Sequence, residues 1–288
     1  MTWMVAAERL PGASEYVAWE TQPPPPPPPV RTLDSHPPTP GALSELLTAP
    51  DGSTYLLFLP RAWEAGQRQR HPTLLFLHGR GGVKNEANVR GQSLTRRLAE
   101  PAFGRSCPFV VLTPICPKAS GWVPQLGSLL ELLALSRERL GADPARTYLT
   151  GQSMGGHGCW HLAAAHPGLF AAVAPVCGYT VEPSREELPP AEAARAAAPP
   201  PALLAALRST PVWAFHSADD TVVPVVHTDA VVAALRAAGN AEVRLTRYET
   251  APPCKTKARD LPGHGSYELA YATAELWEWL LSHQRPPG

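Results

Sequence analysis

Arg146-Thr147-Tyr148-Leu149-Thr150-Gly151-Gln152-Ser153-Met154-Gly155-Gly156 decides the architecture. Residues 146–150 read as a buried strand, rich in β-branched and large apolar side chains. They run straight into Gly151-Gln152-Ser153-Met154-Gly155, a G-x-S-x-G turn, and the chain beyond predicts a helix ending near His166-Pro167. A serine on so tight a strand-to-helix turn is held in strained backbone. Glycines on either side keep side chains from colliding there. The hydroxyl then stands above the sheet edge, and the helix N-terminus is offered to developing negative charge.

Outward from this turn the same rhythm repeats. Residues 53–60, 73–77, 109–113, 170–176, 211–215 and 242–248 read as short apolar strands. Residues 129–140 carry leucines at helical spacing and stop at Gly141, and residues 225–238 form a second helical stretch closed by Gly239. Residues 266–281 read as one closing helix. Short apolar strands alternating with amphipathic helices predict an α/β fold: a doubly wound, mostly parallel sheet with helices on both faces.

Composition bounds the rest. The chain has 288 residues, long enough for one large α/β domain, with 25 Lys+Arg against 25 Asp+Glu. That balance gives no electrostatic reason to expect a nucleic-acid partner or an anionic membrane surface. No apolar run approaches the roughly 18 to 20 residues of a membrane span. The first 20 residues show no basic patch leading into an apolar stretch, so no secretory signal is read. Five cysteines, at 107, 116, 159, 177 and 254, form neither a paired framework nor a C-x-x-C site, and reduced thiols in the cytoplasm are expected.

Proline is the outlier: 35 of 288 residues, about 12% against roughly 5% in average usage. Seven consecutive prolines, Pro23 to Pro29, make residues 1–42 an expected flexible extension, with the domain at 43–288. The tract has the chemistry of a stiff linker and also of an SH3 or WW ligand. Residues 182–201, with six prolines and six alanines, read as a loose lid or exposed loop.

A serine hydroxyl is a poor nucleophile at neutral pH. It needs a base, and the base needs an orienting acid. In a fold of this kind they follow in the order serine, acid, histidine. Ala218-Asp219-Asp220-Thr221 supplies two adjacent carboxylates, of which only one can face a given histidine. Beyond the helical stretch 225–238 that follows lie only His264, in the glycine turn Gly263-His264-Gly265, and His283 near the end. An oxyanion would take the N–H of Met154, the residue after the serine. The second donor is expected from His78-Gly79-Arg80-Gly81-Gly82, at Arg80 or failing that Gly81, with the Arg80 guanidinium facing solvent or taking a substrate carboxylate.

Other polar residues are not promoted. His157 and His161 are four apart on one helix face, but Cys159 points away, so no metal centre is expected there. His78 and His216 are read as hydrogen-bonded structural histidines, and Lys255, Lys257 and Arg259 as a solvated face. Trp122 is read either as lining an acyl pocket or as packing in the core.

With these residues quoted, a family resemblance can be stated. Leu77-His78-Gly79-Arg80-Gly81-Gly82 and Gly151-Gln152-Ser153-Met154-Gly155-Gly156-His157-Gly158 resemble the α/β-hydrolase superfamily. Within it the chain looks most like the phospholipase/carboxylesterase-type and "predicted peptidase" esterases, near feruloyl-esterase and polyester-depolymerase-like enzymes. Residues 166–178 and 211–216 support this, and the likeness spans about residues 50–283. In that branch the acid loop reads H-G-x-x-D-x-x-V-P, and His216 and Pro224 bracket Asp220 as the acid. Ser217 stands where the family has glycine. The resemblance implies a Ser153–Asp220–His264 triad, Met154 and Arg80 as oxyanion donors, an acyl-enzyme route, a small-molecule ester substrate and no cofactor or metal. The rivals are a serine peptidase on the same residues and a non-catalytic hydrolase-fold protein docked through its proline tract.

Overall fold

The computed structural model describes residues 30–66, 70–184, 188–256 and 258–286. The sheet begins with β1 (Leu47–Thr48), β2 (Thr54–Phe58) and β3 (His71–Leu77). Three short helices, α1 (Glu86–Arg90), α2 (Ser93–Ala99) and α3 (Pro101–Ser106), then lead to β4 (Val110–Pro114). Next come α4 (Leu126–Arg139), β5 (Ala142–Gln152), α5 (Met154–Ala165) and β6 (Ala172–Val176). Helices α6 (Pro190–Ala196) and α7 (Pro201–Ala206) precede β7 (Val212–Ser217), α8 (Val226–Ala237) and β8 (Val243–Tyr248). A small hairpin of β9 (Cys254–Lys255) and β10 (Asp260–Leu261) leads to α9 (Ser266–Ala270) and α10 (Ala274–Ser282).

The main sheet has the order β1-β2-β4-β3-β5-β6-β7-β8. Strands β4, β3, β5, β6, β7 and β8 run parallel, and β2 pairs antiparallel with β4 at one edge. This is the doubly wound, mostly parallel sheet that the alternation of strands and helices predicts. Alternate residues of each strand feed two cores. Leu75, Leu77 and Leu149 pack with α4, α5, α7 and α8, whereas Leu74, Phe76 and Tyr148 pack with α2, α9 and α10. The winding reverses at β3, which lies between β4 and β5. Loops leaving β3 and β5 therefore diverge, and a crevice opens at their carboxyl ends.

Three sequence expectations are corrected, and three helices are added. Helices α1 to α3 are not evident in the sequence, since each is too short to build a periodic pattern. The closing helix is two, α9 and α10. Ala272 and Thr273 donate to carbonyls three residues back, and the Thr273 hydroxyl donates to the Leu269 carbonyl at 3.0 Å, which ends α9 and turns the chain.

The 182–201 segment, outside residues 185–187, is not a loose loop. Its alanines form helix α6, and its prolines Pro190 and Pro201 sit at the first positions of α6 and α7, where a missing N–H costs nothing. Ala197, Leu203 and Leu207 are buried. Finally, residues 31–42 belong to the body rather than to an extension, and the boundary falls after Val30. Thr48 N–H donates to Arg31 O at 2.7 Å, Gly41 N–H to Leu59 O at 2.8 Å, and Leu33 packs on the core. Proline content says nothing about such backbone pairing. The tract from Pro23 to Pro29 lies outside the described residues. Among those described, no helix is long and apolar enough to cross a membrane.

The start of α5 is pressed against the end of β3. A Cβ on Gly155 would overlap the Leu77 carbonyl oxygen, and one on Gly151 would stand 2.6 Å from the Gly155 carbonyl oxygen. Both obstacles are backbone inside a paired strand or helix and cannot rotate aside. Gly155→Ala is expected to cost about 2–3 kcal/mol or more, read as a lower urea midpoint at an unchanged m-value.

Candidate active site

Ser153 occupies the corner between β5 and α5 with φ +56° and ψ −117°. A non-glycine residue there costs about 1–3 kcal/mol and persists only when its surroundings over-determine it. They do: Ser153 N–H donates to Val176 O at 2.9 Å, and its carbonyl accepts from His157 N–H at 3.0 Å.

His264 arrives from the turn before α9. Gly263 makes this turn at φ +69°, and a Cβ there would overlap the Asp219 carbonyl. The His264 ring is buried. Its Nε2 lies 2.9 Å from Ser153 Oγ, and its Nδ1 lies 2.8 Å and 3.0 Å from the two Asp220 oxygens.

Asp220 comes from the loop after β7. Its Oδ1 accepts from the Val222 and Val223 amides at 2.8 and 2.9 Å, and His216 Nε2 stands 3.3 Å from Oδ2. Burial pushes this carboxyl up, but the hydrogen bonds from His216 and His264 and the charge of both rings outweigh it. Asp220 is held well below the ordinary carboxylate value, and so stays ionised. Asp219 turns the other way. Its Oδ1 accepts from Ser217 Oγ and from Ala251 N–H at 3.1 Å, so it braces the loop. Of the two aspartates, the loop's backbone thus turns Asp220, the one the resemblance implies, toward His264. Ser217, in place of the family's glycine, is not in the left-handed region and needs no glycine.

The glycine turn after β3 is pinned by His78. Its Nδ1 lies 2.7 Å from Gly79 O, and its Nε2 lies 3.0 Å from Cys116 N. An amide can only donate, so Nε2 accepts and Nδ1 carries the proton. Gly79 C=O is thereby held toward His78, and also accepts from Gly82 N–H at 2.9 Å. In a trans peptide the N–H points opposite to the C=O, so the Arg80 N–H is turned away from His78. Neither this N–H nor that of Met154 has an acceptor among the described residues. Gly79 lies against the residue before Ser153, since a Cβ there would be 3.4 Å from Gln152 O.

Trp122 is buried in the core rather than lining a pocket. Its Nε1–H donates to His78 O at 2.9 Å, and its ring packs on His78 with centroids 4.9 Å apart. The Arg80 side chain is exposed, and its guanidinium charge acts on the Tyr179 phenol. Tyr179 in turn donates to Glu182 Oε1 at 3.3 Å and stacks on His157.

The remaining thiols and histidines are placed too. His157 Nδ1 and His161 Nε2 are spent on the Tyr179 and Thr180 carbonyls at 2.9 and 3.0 Å, while Cys159 is buried in the core. Cys177 brings its sulfur within 4.8 Å of donor atoms of Asp220 and His264. Both His264 nitrogens are already hydrogen-bonded, and burial plus the Asp220 charge push the Cys177 thiol up, keeping it protonated. His78 and His216 are buried, hydrogen-bonded histidines, as their position at strand ends predicts, and each strand opens directly into a loop of the site.

Comparison with known proteins places the chain in a family and a fold. The family model for esterases matches residues 50–242. A thermostable esterase of known structure superposes with a TM-score of 0.65 at 26% identity, over 85% of this chain and 63% of that one. The chain thus spans under two thirds of that esterase. A ferulic acid esterase (TM-score 0.58, 18% identity, 82% and 95% covered) and the Pyrococcus horikoshii acylaminoacyl peptidase (0.51, 14%, 73% and 37%) share the fold. No curated protein matches.

Burial lowers His78 from its ordinary 6.5 to about 4, against the raising effect of its bond to Gly79. The unfolded chain takes up this proton near pH 6.5 and the folded chain only near 4. Between those values the unfolded state binds more protons, so stability falls as pH falls. His71, His157 and His227, also lowered chiefly by burial, add with the same sign. The urea midpoint is expected to drop from pH 6.5 to 4. In His78→Gln the slope should lose up to one proton, about 1.4 kcal/mol per pH unit.

Proposed function

We propose that this chain, which belongs to the esterase family, is a serine carboxylesterase with Ser153 as nucleophile, His264 as general base and Asp220 as the orienting acid. The observation that carries it is the unbroken line from Ser153 Oγ through His264 to the Asp220 carboxylate, with contacts of 2.9 and 2.8 Å. Asp220 accepts the Nδ1 proton, so Nε2 is left with its lone pair toward the hydroxyl, the tautomer a general base needs.

In the first half-reaction Ser153 Oγ attacks the ester carbonyl carbon while its proton passes to His264 Nε2. The resulting imidazolium is stabilised by the buried Asp220 carboxylate. The carbonyl oxygen becomes an oxyanion and accepts from the Met154 and Arg80 amides, each donor contributing about 3–4 kcal/mol in comparable sites. Collapse of the tetrahedral intermediate breaks the C–O bond, and His264 hands its proton to the departing alcohol. A water then takes the alcohol's place and attacks the acyl carbonyl as its proton passes to Nε2; the C–Oγ bond breaks, the acid leaves, and Nε2 returns the proton to Ser153 Oγ. The Met154 amide is free for this because it opens helix α5, whose first N–H groups have no intrahelical partner.

The test is hydrolysis of short- and medium-chain p-nitrophenyl esters by wild type and Ser153→Ala, with fluorophosphonate labelling alongside. Turnover is expected in the wild type, with kcat/KM at least about 1,000-fold lower and labelling abolished in the variant. Undiminished turnover in Ser153→Ala, or an unlabelled wild type, would sink the assignment.

A further inference from the structure

The acid of the site is shared by two imidazoles, and the proposed mechanism uses only one. His216, the fifth residue of β7, is wholly buried. Its Nε2 lies 2.9 Å from Val223 O and 3.3 Å from Asp220 Oδ2. Both neighbours can only accept, so Nε2 carries a proton; it donates to Val223 O, with the Asp220 carboxylate oxygen close beside it. Its Nδ1 lies 2.7 Å from Thr228 Oγ1, and that hydroxyl has Gly178 O as a second partner at 3.2 Å. The ring is therefore held at both nitrogens, by the acid loop on one side and by α8 on the other.

Around the Asp220 carboxylate the donors divide unevenly. Oδ1 has the Val222 and Val223 amides in addition to His264. Oδ2 faces His264 and His216. We propose that His216 is a positioning residue for the proton relay: its Nε2–H fixes Oδ2 and spreads the carboxylate charge, and so sets how strongly His264 holds a proton. This rests on the reading of His264 as the general base.

The direction follows from electrostatics. In a buried site each donor to a carboxylate disperses its charge. With the His216 donor gone, more of that charge is presented to the His264 Nδ1 proton, and the imidazolium becomes more stable. The acid limb of kcat/KM, below which His264 is protonated and idle, then moves to higher pH. Other titratable groups facing this assembly are few. The Cys177 thiol lies beside Asp220 and His264, the Asp219 carboxylate braces the same loop, His227 of α8 interacts with His216, and Tyr267 of α9 has its ring 6.4 Å from His264. All of them stay in place in the variants below.

The experiment compares wild type with His216→Leu, His216→Gln and His216→Asn. Glutamine puts an amide N–H where Nε2 was. Asparagine reaches only the Nδ1 position, and leucine supplies neither. Two readouts are taken: the pH profile of kcat/KM on a p-nitrophenyl ester, and direct NMR titration of the His264 ring in labelled protein. Leucine and asparagine are expected to raise the His264 midpoint and the acid limb by about one pH unit, a roughly tenfold rise in proton affinity, with glutamine close to wild type. If leucine does not fold, asparagine against glutamine carries the comparison. An unmoved midpoint in leucine and asparagine, or a glutamine shift as large as theirs, overturns the inference and leaves His216 as packing alone. The NMR titration needs no turnover. A midpoint that moves in a protein without esterase activity therefore overturns the proposed function and leaves the inference standing.

Discussion

One backbone crossing governs this molecule: the start of α5 lies directly on the end of β3, with no room for a side chain between them. Gly151 and Gly155 permit the contact, against each other and against the Leu77 carbonyl. Because helix and strand meet this closely, the corner between β5 and α5 cannot relax, and Ser153 is held at a positive φ it would not choose. The strain is local and is offset by packing on both faces of the sheet. Its consequence is chemical, since it lifts the hydroxyl clear of the sheet and turns the first amides of α5 outward.

The other parts of the site are brought to this corner by loops leaving neighbouring strands at the same end. The turn after β3 carries the Arg80 amide, the proposed oxyanion donor, the loop after β7 supplies Asp220, and the turn before α9 supplies His264. Each is fixed from beneath by hydrogen bonds rather than by its own sequence preference. Two buried histidines serve as pins. His78 holds a carbonyl and thereby aims the amide on the far side of the same peptide. His216 holds a carboxylate oxygen that the imidazole of the relay also needs. In both cases a ring with two nitrogens ties a catalytic loop to a different stretch of chain, which a single-donor side chain could not do.

Charge follows the same economy. Asp220 is buried, a position that alone would neutralise it, yet four donors keep it ionised. The neighbouring Cys177 thiol, fully buried and beside the Asp220 charge, is pushed up and stays protonated although Ser266 and the Ser153 backbone hydrogen-bond to it. Ionisation at this site is therefore decided by burial, converging hydrogen bonds and neighbouring charge together.

The sequence by itself determined the strand-to-helix corner at Ser153, the alternation that makes the sheet parallel, and the order of serine, acid and histidine along the chain. These are local properties: apolar periodicity, glycine where no Cβ fits, and turn residues at fixed offsets. Tertiary structure supplied the physical reason that Asp220, which the family pattern implies, faces His264 and Asp219 does not: Asp219 is captured by Ser217 and Ala251. It also decided that residues 31–42 pair with the sheet, that the proline- and alanine-rich segment folds into docked helices, that the closing helix breaks at Thr273, and that His78 and His216 are pins. Each of these depends on contacts between residues far apart in the chain. Local composition carries the propensity for a conformation, but not the identity of the partner that will meet it.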